Sequence, residues 1–524
     1  MFEEFNINKN DKYYLVFITI FSVALVAYYI NFNNTIGIFC SDVYVYLLNA
    51  VYYTGINLHS TSTIYLSPVI CFLTSIFFDL GFIDKMAIYI VTGVFAILGN
   101  IGFYILLRRY NNDIMSLAGT IIYSSCTLYL TWLANGTLDI PATTMIIWTA
   151  LLSIMAINDN SKYYKYAIPL LVLGFFTRYT VLLVVPALLL YYAFEKGFKI
   201  EDEDKKYIKK GIKYSIIITV IILAVILIMG MGRFGASYQI SNGITGQQGS
   251  DIDPAYNTDV SYYIANFPNF ISNSHTYFEA NPVLDSPTLL SWITIFLFII
   301  GSILWLYQNK RKPKREDIVP VIIFLIAIGT YTKISSFITI ILVLVGLYFL
   351  GKDSKNKTGY LMASMILCNL IFISYYSIKV NRYAIPILPP LIYFLLIGIN
   401  SIHKQIKINE NIIPIALMIM FIIQAFAFTA TFDPTNQYKV TEDVSNYIIE
   451  NNPDYEIMSI GAYNLRPYSW WLHQNVLGIP TSNQTAIDES NVTYYISNTQ
   501  LDELTNYTEI KKFNELYLYE KVSV

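Results

Sequence analysis

Six ionisable residues in this 524-residue chain are best placed to do chemistry: Asp42, Asp139, Arg178, Lys333, Lys379 and Arg382. Each lies at the end of a long apolar run, where charge is costly enough to be functional by default. Carboxylates beside cations suit one kind of step. A positioned carboxylate takes the proton of an attacking hydroxyl, while fixed cations stabilise charge growing on a leaving group. Two of the cations sit at similar tips: Phe176-Thr177-Arg178-Tyr179 and Tyr331-Thr332-Lys333 each join two apolar arms with almost no loop. At about 1.5 Å per residue the arm 163–177 reaches only ~22 Å, against a hydrocarbon slab ~30 Å thick. Irregular backbone at that depth is tolerated only inside protein or beside a water-filled cavity. The spacing therefore predicts an outward-opening cavity with cations near the level of lipid phosphates.

The elements that must position these residues are membrane helices. Hydrophobic residues make up 55% of the chain and charged residues 13%, about half the roughly 25% charged share of soluble domains; mean hydropathy is +0.48. The pattern predicts an α-helical polytopic membrane protein of about thirteen spans: 13–32, 87–107, 114–132, 140–157, 163–177, 179–195, 213–231, 289–307, 317–332, 334–350, 359–377, 383–400 and 412–430. With a cytoplasmic N-terminus, inner loops hold most of the Lys and Arg, densest from Lys196 to Lys213 and over Lys310, Arg311, Lys312, Lys314 and Arg315. That bias sets the orientation and puts the six ionisable residues on the outer side. Outer segments 33–86 and 232–288 are long. The first holds an amphipathic stretch, Val43 to Tyr53, and an apolar run, Leu66 to Phe78, suited to lying along the interface. Residues 1–431 read as the membrane domain. Residues 432–524 read as a small soluble α/β domain outside, with a helix over Val440 to Glu450 and a strand over Glu456 to Gly461.

Other features read as structural. A net charge of −2 gives no basic footprint for nucleic acid. Cys40, Cys71, Cys126 and Cys368 are scattered and suggest neither a disulfide framework nor a metal knuckle. His59, His275, His403 and His473 lack metal-ligand spacing. No cleavable signal is visible. Asp251-Ile252-Asp253 reads as solvated turn chemistry and Glu201 to Lys210 as a solvated face. Asn135 and Asn491 begin N-x-S/T triplets, permissive for glycosylation.

Cations at lipid-phosphate depth below carboxylates suggest a phospholipid-like substrate at the outer face. Nucleotide sugars are cytoplasmic, so transfer there needs a donor already activated on a lipid. A polyprenyl (dolichyl or undecaprenyl) phosphate sugar fits, with a glycan, lipid or protein as acceptor. One carboxylate suffices for an inverting displacement. Tyr44, Tyr46, Tyr383 and His59 are candidates to touch substrate. No cofactor is required, although Asp42 and Asp139 could hold a divalent cation or orient one another. The alternatives are a multispan transporter or flippase of lipid-linked sugars, or a glycan polymerase or ligase. Transporters usually place the site near the midplane between repeated halves, whereas these ionisable residues line one rim.

Several motifs occur in a telling order: Ser41-Asp42-Val43-Tyr44-Val45-Tyr46; Leu66-Ser67-Pro68 opening a short apolar helix; Arg108-Arg109; Leu138-Asp139-Ile140-Pro141; Phe176-Thr177-Arg178; and Asn381-Arg382-Tyr383-Ala384-Ile385-Pro386. Over residues 12–400 this resembles the GT-C membrane glycosyltransferases, in the branch of protein O-mannosyltransferases and the lipid A aminoarabinose transferase. The resemblance implies Asp42 as catalytic base and Asp139 as its support. It implies Arg178, Lys333 and Arg382 as the donor-phosphate site. The chain departs from the pattern in carrying Val43 after Asp42, where protein O-mannosyltransferases have Glu, and in lacking a basic residue and second Pro before Pro68. Trp470-Trp471 is followed by Leu472 and His473, without the acidic member of the oligosaccharyltransferase signature, and reads as packing within the tail.

Overall fold

A computed structural model describes residues 9–56, 58, 68–228, 258–273, 287–308, 318–331, 333–354, 356–376, 378–431 and 438–522. His59, Asp251 to Asp253 and His275 lie outside them. The first part of the chain is a helical bundle: α1 (Lys9–Ile36), α2 (Ser41–Tyr53), α3 (Pro68–Asp79), α4 (Lys85–Arg108), α5 (Asp113–Ser124), α6 (Thr127–Thr131), α7 (Asp139–Asn158), α8 (Tyr164–Thr177), α9 (Val184–Lys196) and α10 (Asp202–Ile228). Helices Leu289–Gln308, Ile318–Thr330, Ser336–Gly351, Lys357–Tyr375, Leu388–Ile406 and Ile412–Ala427 follow.

Among the described residues, nine helices are long and apolar enough to cross a membrane. The expected spans 114–132, 163–177, 317–332 and 334–350 correspond to shorter helices. Run 114–132 is broken at Ser125-Cys126, and the break is satisfied within the protein: Gln424 Nε2 donates to the Ser125 carbonyl (2.7 Å) and Thr127 Oγ1 to the Asn269 carbonyl (2.8 Å). Helix α10 begins eleven residues before the expected span, at an acidic first turn of Asp202, Glu203 and Asp204 that complements the helix N-terminus. Asp204 is buried there and accepts hydrogen bonds from Ser161 and Tyr192, so the acidic-basic run is not uniformly solvated. The chain is a multi-pass membrane protein.

The two apolar stretches of the first long segment are α2 and α3, packed on each other and on the start of α4 around Val43, Leu47, Ile70, Phe78 and Ile88. Residues 438–522 form a mixed sheet of β1 (Ile460–Ala462), β2 (Leu477–Gly478), β3 (Tyr494–Ser497), β4 (Tyr507–Phe513) and β5 (Leu516–Lys521), ordered β2-β1-β3-β5-β4. Strands β1, β2 and β3 run parallel, and β5 is antiparallel to both β3 and β4. The strand expected over Glu456 to Gly461 starts later, because Tyr455–Ile457 winds as a 3₁₀ turn after Pro453-Asp454. Edge strand β4 exposes Glu509, Lys511 and Lys512, which discourages further pairing.

This sheet region docks on α2 and α3. Trp470, on the short helix Leu465–Trp471, stacks on Phe78 with ring centroids 5.8 Å apart. Lys85 Nζ pairs with Glu442 Oε2 at 2.8 Å. The tryptophan pair therefore joins the tail to α2 and α3 rather than packing only within the tail.

Candidate active site

Asp42 and Asp139 occupy equivalent local positions, each in the first turn of a helix, where the N-terminal dipole favours a carboxylate. Helix α1 delivers Asp42. It ends at Gly37, whose positive φ of 93° suits a helix C-terminal glycine. A Cβ there would lie 2.6 Å from the Tyr438 carbonyl oxygen, so the tail's approach also requires glycine. The turn before α7 delivers Asp139. Asn33 Nδ2 donates to the Leu133 and Ala134 carbonyls (2.8 and 3.1 Å), and Gly136, with φ 88°, lets the turn close on Val43 beside Asp42.

Arg382 comes from the 3₁₀ segment Asn381–Ile387. Its Nη2 donates to Asp42 Oδ2 and its Nη1 to Cys40 Sγ at 3.1 Å. Its Nε lies 3.6 Å from Asp139 Oδ2. Arg178, where α8 ends, donates from Nη1 to that same Asp139 oxygen at 3.3 Å. The order Asp42–Arg382–Asp139–Arg178 is thus a continuous chain of alternating charge. Asp139 is 3% exposed and Arg382 8%, whereas Asp42 is 36% exposed. Burial alone would raise the Asp42 carboxyl, but the Arg382 guanidinium wins and holds it below the usual carboxylate range. The charge of Arg466, from the docked helix Leu465–Trp471, acts in the same direction.

Aromatic rings brace the cations. The Arg382 guanidinium carbon lies 5.3 Å from the Trp132 ring centroid and 5.7 Å from that of Tyr383; for Arg178 the distance to Tyr383 is 5.2 Å. These distances fit cation–π contact. Trp132 Nε1 also donates to Asn381 Oδ1 (2.9 Å). The Tyr263 hydroxyl accepts from the Val380 amide (3.2 Å) and donates to the Val380 carbonyl (3.1 Å). Sequence reasoning missed Trp132, Tyr263, Cys40 and Arg466, since neutral or distant residues give no local signal.

The other expected site residues have different surroundings. Tyr383 lies in the cluster. Tyr46 is buried one helical turn from Asp42, on the same face. Tyr44 turns toward the tail: its hydroxyl shares a hydrogen bond with Thr441 Oγ1 (3.0 Å) and accepts from Trp471 Nε1 (3.3 Å). Lys333 is exposed at the turn after Ile318–Thr330 and pairs with neither aspartate. Lys379 is buried and donates to the Ser374 (2.7 Å) and Tyr376 carbonyls at the end of helix Lys357–Tyr375. It thus satisfies the carbonyls that a helix end leaves open. Asn135 is also buried, with Oδ1 accepting from Thr137, so in the folded chain it is no glycosylation site.

A crevice beside the cluster is lined by Asp139, Arg178, Tyr179, Asn369, Tyr376 and Tyr383. Its interior, about 20 Å³, has room for about one water. A separate groove of about 300 Å³, almost wholly apolar, lies between α3, α8 and α10, lined by Pro68, Phe72, Leu173 and Ile221. Among the described residues no three His, Cys, Asp or Glu side chains converge as a metal site.

Residues 65–229 match the family described as dolichyl-phosphate-mannose-protein mannosyltransferase. No curated protein matches the sequence. Among solved structures, ArnT from Cupriavidus metallidurans bound to undecaprenyl phosphate superposes with a TM-score of 0.56 at 8% identity, covering 96% of this chain and 98% of that one. The apo state of the same protein gives 0.52, also at 8% identity, with 96% and 97% covered. Archaeal oligosaccharyltransferase AglB from Archaeoglobus fulgidus, in complex with an inhibitory peptide and a dolichol-phosphate, gives 0.49 at 11% identity, with 94% and 70% covered. The family match is thus to residues 65–229, and over nearly its whole length the chain has a fold similar to that of ArnT.

Proposed function

We propose that the protein is an inverting glycosyltransferase that moves a sugar from a polyprenyl-phosphate carrier to an acceptor hydroxyl on the outer face of the cell membrane. One observation carries the reading: Asp42 and Asp139 share Arg382, beside a second buried arginine, at one end of an apolar helical bundle. The acceptor oxygen attacks the anomeric carbon, the carbon–oxygen bond to phosphate breaks, and polyprenyl phosphate leaves with that electron pair. Asp42, the more exposed carboxylate, takes the acceptor proton. Arg178 and Arg382 stabilise the negative charge that grows on the phosphate.

Two aspartates balance two arginines, so an entering phosphate must compete for a guanidinium. Asp139 is buried between both arginines, whereas Asp42 holds only one and is more exposed. Arg382 therefore exchanges Asp42 for the phosphate, and the exchange frees Asp42 to act as base. Because both carboxylates already face guanidinium groups, the step calls for no divalent cation. The apolar groove beside α8 suits an isoprenoid chain, and ArnT, of the same fold, has been crystallised with undecaprenyl phosphate. The N-terminus is cytoplasmic, residues 1–431 form the membrane domain and residues 432–524 the extracytoplasmic domain, in keeping with the distribution of Lys and Arg. Tyr383 lines the crevice, which supports its contact with substrate, whereas Tyr46 is buried one turn from Asp42.

The test is transfer from a radiolabelled polyprenyl-phosphate sugar by purified protein in liposomes. Wild type should release polyprenyl phosphate and glycosylate an acceptor with inversion. Asp42→Asn, folded and inserted, should do both about 10²–10⁴-fold more slowly; turnover near the wild-type rate would remove Asp42 as base.

A further inference from the structure

We propose a second binding site, for a neutral polyhydroxyl group such as a hexosyl unit, at the end of the bundle opposite Asp42. A polar cavity of about 440 Å³ opens there, lined by Tyr110, Asn158, Tyr191, Thr358, Tyr393 and Asn400 among others. This volume lies within the range of small-molecule pockets, ~300–1,000 Å³. The helices that shape the Asp139 crevice shape this cavity with their other ends. Helix α7 begins at Asp139 and ends at Asn158. Helix Lys357–Tyr375 begins beside Thr358 and ends beside Tyr376, which lines the crevice. The chain from Tyr383 in the crevice continues through Leu388–Ile406 to Asn400 in the cavity wall. The nineteen helical steps from Asp139 to Asn158 span about 28 Å, close to the ~30 Å of a hydrocarbon core. Two polar sites therefore face the two membrane surfaces from opposite ends of the same helices.

The lining chooses the ligand. Most of its side chains are neutral amides and hydroxyls, which both donate and accept hydrogen bonds, as a ring of sugar hydroxyls requires. Tyr110 and Tyr393 meet edge to face with centroids 5.9 Å apart, giving an apolar wall for a pyranose face. An anion is poorly served. Lys357 is engaged by Glu195 at 3.2 Å, and Lys404 is exposed at the rim. Asn158 Nδ2 donates to the Tyr191 hydroxyl (2.8 Å), which fixes that part of the wall. The proposal goes beyond the transferase reading and does not depend on turnover.

The test is photolabelling of the full-length protein in nanodiscs with a diazirine-bearing alkyl hexoside, sites being read by peptide mass spectrometry. Label is expected near Tyr110 and Tyr393, displaced by excess hexose and not by inorganic phosphate. Asn400→Trp, which fills the cavity, and Asn158→Ala, which removes a ligand-facing amide, should each weaken labelling at least tenfold, whereas Asp42→Asn should leave it intact. Displacement by soluble hexose alone identifies a free sugar. Displacement only by polyprenyl-phosphate hexose added to the bilayer identifies a glycolipid headgroup. Displacement by phosphate rather than hexose, or labelling that neither cavity variant changes, overturns the proposal.

Discussion

Arg382 reaches Asp42 across 340 positions of chain, and its guanidinium bonds that carboxylate while facing Asp139 at 3.6 Å. One cation thus sits between the two carboxylates that the proposed chemistry would use differently, and its removal should be felt in two ways.

The first concerns pH. Arg382 holds the Asp42 carboxyl below its usual range against the opposing effect of burial. A base works while ionised, so activity should persist at mildly acidic pH and fall as protons return to Asp42. In Arg382→Ala burial is opposed only by the charges of Arg178 and Arg466, the Asp42 pKa rises, and the acid limb of the kcat/KM profile should move to higher pH. An acid limb at the same pH in wild type and variant would separate Asp42 from that limb.

The second concerns the leaving phosphate. Arg178→Ala and Arg382→Ala should each lose about 2–4 kcal/mol of transition-state stabilisation, as for other preorganised charge sites. Asp42→Asn should lose about 10²–10⁴-fold in rate. Single-turnover transfer measures all three. Lys333→Ala, at an exposed turn, should stay within about threefold of wild type (~0.6 kcal/mol).

Asp139 is different because it is buried between two arginines. Asp139→Ala should destabilise the fold by about 3–5 kcal/mol through uncompensated buried charge. Thermal unfolding in detergent should show a clear drop that Asp42→Asn, at a more exposed carboxylate, does not.

Lys379 supplies a pH signature in stability. Burial pushes its amine down to about 8, against the modest opposing pull of Asp259. Between pH 8 and the ordinary lysine range the unfolded chain binds the proton and the folded chain does not, so folding stability rises with pH. The rise is on the order of 3 kcal/mol at most. A neutral amine still has two N–H groups for the Ser374 and Tyr376 carbonyls. The difference in Tm between wild type and Lys379→Met should therefore grow from pH 7.5 to pH 10, and a constant difference would contradict it.

The tail is held by few large groups. Trp470 is buried against Phe78, and Trp470→Ala should cost about 3–5 kcal/mol of docking and local stability. Limited proteolysis should then release residues after 438 faster than in wild type. Glu442→Gln should have a smaller effect, since its partner Lys85 also lies 5.1 Å from the Trp471 ring centroid.

The helical, membrane-embedded character of the chain was legible in its composition, and Asp42, Asp139, Arg178 and Arg382 were legible because charge beside an apolar run is too costly to be casual. Local context misled where partners decide. Thr332-Lys333 repeats the wording of Thr177-Arg178, yet Arg178 is buried on Asp139 and Lys333 is exposed. Tyr44 and Tyr46 stand two residues apart on one helix, where two steps of about 100° turn them nearly opposite ways. One meets Thr441 of the tail and the other is buried on the side of Asp42.

Hydropathy and charge along the chain determined by themselves that it threads a membrane and where its costly ions stand. Only the tertiary structure decided which of those ions meet, that Lys379 caps a helix, that Asn135 is buried, and that the tryptophan pair clasps α2 and α3. The reason is physical. Desolvation cost is a property of each residue in its own run, whereas pairing energy depends on atoms brought together from hundreds of positions away.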